Sequence, residues 1–160
     1  MARSIGQLGA GLAMALLAQA AGAQSTAPAD PTEASFRSLY RELVETNTTR
    51  SVGSCTQAAE AMRKRLVAAG IPEADTKIWA PADRPNDGAL VATLRGRDPA
   101  LKPLLLLAHI DVVEAKREDW KRDPFKLVEE NGFFYGRGTS DDKAMASVFT
   151  DSLVRYKTEG

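Results

Sequence analysis

Apolar residues recur at intervals of three and four from Phe36 through Leu39, Tyr40 and Leu43 to Val44, and this spacing predicts an amphipathic helix over residues 33–45. Ala58, Ala59, Met62, Leu66 and Ala69 repeat the pattern over residues 54–69, and Gly70 stands where a left-handed residue would end that helix. The period then changes. Residues 77–80 and 89–94 read as strands, and residues 103–109, PLLLLAH, form an unbroken apolar run of the kind buried on both faces of a sheet. Residues 125–130 and 133–135 flank Asn131-Gly132, where both positions tolerate positive φ, so a two-residue hairpin turn is expected. Met145, Val148, Phe149, Ser152, Leu153 and Tyr156 return to helical intervals and predict a last helix over residues 142–157 with that stripe inward. Helices, then strands, then a helix point to an α/β fold, a mixed central sheet flanked by helices.

The stretch before the first helix is of another kind. Arg3, an apolar run over residues 8–18 and the small residues Ala21-Gly22-Ala23 match a secretory signal peptide, with cleavage expected after Ala23. The run is shorter than the roughly 20 residues that cross a bilayer, which argues against an anchor. Residues 24–32, QSTAPADPT, are polar and proline-containing and suit a flexible leader. The expected organisation is a signal peptide over 1–23, a leader over 24–32 and one folded part over 33–160. The protein is then periplasmic or secreted and free of the membrane once the signal is removed.

Composition narrows the choice of partner. A length of 160 residues argues for one domain or less. Lys plus Arg number 21 and Asp plus Glu number 21, so no net field favours a polyanion, and nucleic acid is not expected to bind. The basic triplet Arg63-Lys64-Arg65 falls within a helical pattern and reads as a solvated face. The single cysteine, Cys55, has no partner for an internal disulfide and no neighbour at metal-finger spacing, so a plain thiol is expected.

The residues with chemistry to offer lie after the apolar run. His109 and Asp111 are two apart on an extended segment and therefore share a face. A metal-bound imidazole usually hands its other N–H to a carboxylate, and Asp111 is placed to be that orienter. Gly136-Arg137-Gly138-Thr139-Ser140-Asp141-Asp142-Lys143 then leads straight into the last helix, where a carboxylate sits by the positive end of the dipole. Each piece alone has an ordinary explanation, a hydrogen-bonded histidine at a strand end or an acidic helix cap. A phosphate cradle does not fit, because the loop lacks G-x-x-x-x-G-K-[ST] spacing and carries two acids.

The conjunction is more specific. Residues 104–143 carry in order an apolar strand, H-x-D-V-V, Trp120, Asp123-Pro124-Phe125, the Asn131-Gly132 turn, Y-G-R-G and D-x-K. In this they resemble the di-zinc family of aminoacylases, glutamate carboxypeptidases, acetylornithine deacetylases and succinyl-diaminopimelate desuccinylases, here its N-terminal portion only. The resemblance implies a hydrolase of peptide or N-acyl-amino-acid amide bonds. By position it makes His109 a ligand of one zinc, Asp141 the carboxylate bridging two, and Asp111 the catalytic-site partner of His109. It leaves Asp142 a non-ligand and puts a cis peptide at Asp141-Asp142. Trp120 and Phe125 are expected to pack beneath the loop, and Glu129 and Glu130 to pair at the surface.

The implied chemistry is a metal-activated water attacking the carbonyl of a small peptide or N-acyl amino acid, with cobalt or manganese as alternatives to zinc. His109 is the single histidine in the sequence, so the second histidine, the further acidic ligands and the general base that the family requires are not supplied by this stretch. This chain alone is therefore expected to be inactive. A homodimer through a domain beyond this stretch is consistent with the resemblance. The rival expectation is a binding or assembly module that keeps the scaffold without catalysis.

Overall fold

A computed structural model of the chain describes residues 30–160. The expected signal peptide, and the leader as far as residue 29, lie outside the described residues. Helix α1 runs over Pro31–Glu45. The Asp30 side chain accepts the Thr32 N–H, and a proline at the first position loses no hydrogen bond there. Helix α2, Cys55–Ala68, is capped in the same way by Ser54, whose hydroxyl accepts the Gln57 N–H. It ends at Gly70, at φ 92, the left-handed terminator expected from the sequence. Two strands follow, β1 over Thr76–Trp79 and β2 over Ala89–Ala92, paired antiparallel. Strands β3, Val128–Glu130, and β4, Phe133–Tyr135, form the expected hairpin, with Asn131 and Gly132 both at positive φ. Helix α3, Lys143–Glu159, closes the chain.

The fold is α/β, built from helices and small antiparallel pairs, with one parallel bridge between Thr49 and Val112. Its core is helical. Leu39 and Leu43 of α1 pack with Ala58, Ala61 and Met62 of α2 and Ala146 of α3, and Ala108 and Ile110 lean on this cluster. Tyr40, Val44 and Leu127 form a second cluster with Phe36 beside it, so the apolar face predicted for α1 is the buried one. Among the described residues no helix is long and apolar enough to cross a membrane.

Two expectations about burial are overturned. Residues 103–109 are not buried on both faces. They run extended without ladder partners among the described residues, and Leu105 and Leu107 are each 81% exposed. Burial alternates along this stretch, with Leu106, Ala108 and Ile110 turned toward the helices and Leu105, Leu107 and His109 turned out. Among the described residues the run has a helical layer on one face and no neighbour on the other.

The inward face of α3 also differs from the predicted stripe. Lys143, Ala146, Ser147 and Thr150 are buried, whereas Met145, Val148 and Tyr156 are exposed. Small side chains let α3 approach α1, and their hydroxyls are satisfied within the helix, Ser147 Oγ donating to the Lys143 carbonyl at 2.7 Å and Thr150 Oγ1 to the Ala146 carbonyl at 2.8 Å. Because each polar group keeps a partner, burying it costs little.

The basic triplet is less solvated than expected. Arg63 donates to the Thr76 carbonyl and pairs with Glu73, and Arg65 pairs with Glu42 at 2.6 Å. Glu129 and Glu130 pair with Arg37 and Arg122, as expected. Urea unfolding of two leucine variants checks this layout. Leu43→Ala, in the core, should cost about 2–5 kcal/mol, and Leu105→Ala, on the open face, should stay within about 0.5 kcal/mol.

Candidate metal centre

The site is assembled from two segments far apart in sequence. The first is residues 109–112, held by the turn after α1. Thr48 Oγ1 donates to the Ile110 carbonyl at 2.6 Å, and the Val112 N–H donates to the Thr48 carbonyl at 3.3 Å. These bonds fix the backbone on both sides of Asp111, and strand alternation then turns His109, Asp111 and Val113 outward together.

The second segment is the loop from Gly136 to Asp142. Both glycines are required by close approach. A Cβ on Gly136 would lie 2.8 Å from Val44 Cγ1, and one on Gly138, at φ +85, would lie 2.9 Å from Lys143 Cδ and 3.0 Å from Val112 Cγ1. The Tyr40 hydroxyl donates to the Thr139 carbonyl at 2.7 Å and ties the loop to α1. The Arg137 N–H donates to the Pro124 carbonyl at 2.7 Å, and the Arg137 guanidinium lies over the Trp120 ring at 5.0 Å. Trp120 thus packs against the loop. The Asp141-Asp142 peptide is cis, as the resemblance implied.

These supports bring all three expected residues together. His109 Nε2 lies 2.9 Å from Asp141 Oδ1, and His109 Nδ1 lies 3.3 Å from Asp111 Oδ1 and 3.2 Å from the Asp111 carbonyl oxygen. The imidazole is held between two carboxylates, one at each nitrogen. Asp142 turns elsewhere, accepting the His109 backbone N–H at 3.4 Å. His109, Asp111 and Asp141 line a crevice of about 260 Å³ with Gly136, Gly138 and Ser140 among its other walls.

The electrostatics follow from this placement. Partial burial works against a charged His109 ring, but the hydrogen bonds to Asp141 and to the Asp111 carbonyl, with the charge of both carboxylates, outweigh it and raise its pKa above the ordinary 6.5. Burial pushes the Cys55 thiol up, which keeps it protonated and fits the plain thiol expected. Lys143 is fully buried and its pKa falls to about 8, chiefly because burial disfavours the ammonium.

A neutral imidazole nitrogen beside a carboxylate, both opening on one crevice, is a donor set that suits zinc and related divalent ions. It is an incomplete set. Among the described residues no group of three or more His, Cys, Asp or Glu side chains is arranged to hold an ion. The sequence missed the supports, namely Thr48 under residues 110–112, Tyr40 under the loop, and Lys143. Of these only Lys143 lay inside a recognised motif, the D-x-K that opens α3.

Fold and site together define a class, an α/β segment that sets a histidine between two carboxylates at the entry to a helix. Residues 105–160 match the model of peptidase family M20/M25/M40, and over that segment the chain is similar to this family, in line with the resemblance its motifs carry. The chain is 55% identical over 61 residues to N-fatty-acyl-amino acid synthase/hydrolase PM20D1 of Mus musculus, covering 38% of this chain and 12% of that protein. Against aminoacylase-1 of Sus scrofa it is 36% identical over 77 residues, 48% of this chain and 19% of that protein. Against N-formyl-4-amino-5-aminomethyl-2-methylpyrimidine deformylase of Bacillus subtilis (strain 168) it is 45% identical over 75 residues, 44% and 18% of the two chains. These relatives are hydrolases, and the matches span 12% to 19% of their lengths.

The raised His109 pKa gives a direct check. The contribution of the protonated ring to stability is fully present below its unfolded value of about 6.5 and is lost as pH rises through the higher folded value. In metal-free protein the His109 ring proton signals should titrate above 6.5, and Asp141→Asn should bring the midpoint down. A midpoint unmoved by Asp141→Asn would contradict the pairing.

Proposed function

We propose that the protein of which these residues are part is an exported zinc-dependent hydrolase of peptide or N-acyl-amino-acid amide bonds, acting on a small peptide or N-acyl amino acid. The observation that carries this reading is the His109–Asp141 contact at 2.9 Å, with Asp111 at the opposite ring nitrogen. His109 Nε2 and the Asp141 carboxylate, at the entry to α3, would hold the metal. Zinc bound there would supply Lewis-acid polarisation of the scissile carbonyl and a water of lowered pKa.

The remaining work falls to the chain's own groups. Asp111 and its carbonyl would accept the Nδ1–H, which fixes the tautomer and would direct the Nε2 lone pair toward an ion held with Asp141. Asp142, whose carboxylate accepts the His109 backbone N–H, would be left a non-ligand. The walls from Gly136 to Ser140 leave a crevice of about 260 Å³ beside the ring, where the substrate carbonyl would have to enter. Cobalt or manganese would be held by the same oxygen and nitrogen donors.

Hydrolysis also needs a general base and further ligands, and among the described residues no third donor joins the pair. This chain by itself is therefore inactive in our reading. Export rests on the signal-like residues 1–23.

Activity assays test both halves. Purified chain with zinc should not release amino acid from dipeptides or N-acyl amino acids, and turnover would refute its inactivity. In the longer protein Asp111→Ala should lower activity or metal affinity by about 10–100-fold. Full activity after His109→Ala would contradict the ligand assignment.

A further inference from the structure

Lys143 is the largest fully buried side chain among the described residues. Its Nζ donates to the Thr46 carbonyl at 2.7 Å, and that is the residue capping the C-terminus of α1. The stem passes beneath Gly138, whose position leaves no room for a methyl, and beside Val112. The Lys143 backbone N–H donates to the Gly138 carbonyl at 3.2 Å. Two residues beyond Thr46, Thr48 holds the Ile110 carbonyl and the Val112 N–H.

These contacts close a circuit. Asp141 precedes Lys143 by two residues, the lysine reaches Thr46, the following turn grips residues 110–112, and His109 adjoins them. One path that sets the separation of His109 from Asp141 thus runs through this ammonium, beside the Asp142–His109 backbone bond and the Tyr40–Thr139 bond.

An apolar side chain of the same length would fill this space without the cost of burying a charge, which offsets the loss of a donor to the Thr46 carbonyl. What the ammonium adds is direction, a donor aimed at one carbonyl. We propose that Lys143 is a positioning residue for the metal site, fixing where Asp141 stands relative to His109. This rests on the metal-site reading above.

His109 is the only histidine, so the ring resonances of the chain report on one place. Lys143→Met should leave the thermal midpoint unchanged or raised, yet move the metal-free His109 ring signals at fixed pH toward those of Asp141→Ala. Zinc affinity should fall at least tenfold.

Wild-type ring signals in Lys143→Met overturn the proposal. So does a change in signals accompanied by a matching loss of stability, because a merely structural lysine would give that. Should Lys143→Met not fold, Lys143→Gln decides, since it keeps a polar end on a stem too short to hold the Thr46 carbonyl. Displaced His109 signals then support the proposal, and unchanged ones overturn it. If wild-type chain takes up no zinc, the metal-site reading fails separately, and the metal-free ring signals still decide the role of Lys143.

Discussion

The candidate site depends on the grip of Thr48 on the extended segment that bears His109 and Asp111. Its hydroxyl takes the Ile110 carbonyl and its carbonyl takes the Val112 N–H, and nothing else among the described residues pairs the backbone of residues 104–108. Without that grip an unladdered strand would have no fixed register on the helical layer, and a slip of one residue would turn His109 inward. The Gly136–Asp142 loop is secured from the same end of α1, by Tyr40 and by Lys143. A site whose two halves lie some thirty residues apart is therefore built on one short stretch, the end of α1 and the turn after it.

The same arrangement explains why the site faces outward. Ala108 and Ile110 lean on the core, and alternation then puts Leu105 and Leu107 on the face that carries His109 and Asp111. The chemistry is displayed at the end of an open apolar face. Exposure also keeps the His109–Asp141 pair weak as an ion pair in its own right, since solvent screens it. Its value lies in where it holds two donors rather than in stability.

Much of this was legible locally. The helices α1 and α2 follow from apolar spacing with Asp30, Ser54 and Gly70 as punctuation, and the hairpin follows from Asn131-Gly132. What periodicity misjudged was burial. A leucine run reads as buried on both faces wherever a neighbour is assumed, and a stripe of Met145, Val148 and Tyr156 reads as inward unless one foresees that Ser147 and Thr150 satisfy themselves within their own turn. The approach of His109 to Asp141 is invisible to spacing, because it is made by tertiary contacts, and it was reached only through the ordered landmarks between them. Thr48 and Tyr40 carry no motif at all.

The central claim is that one ion touches both His109 and Asp141. Calorimetric titration of zinc into wild-type chain, His109→Ala, Asp141→Ala and the double variant tests it most directly. Either single change should remove most of the binding and the double change little more, as expected of two ligands sharing an ion. Undiminished zinc affinity in His109→Ala, or losses that simply add, would contradict it.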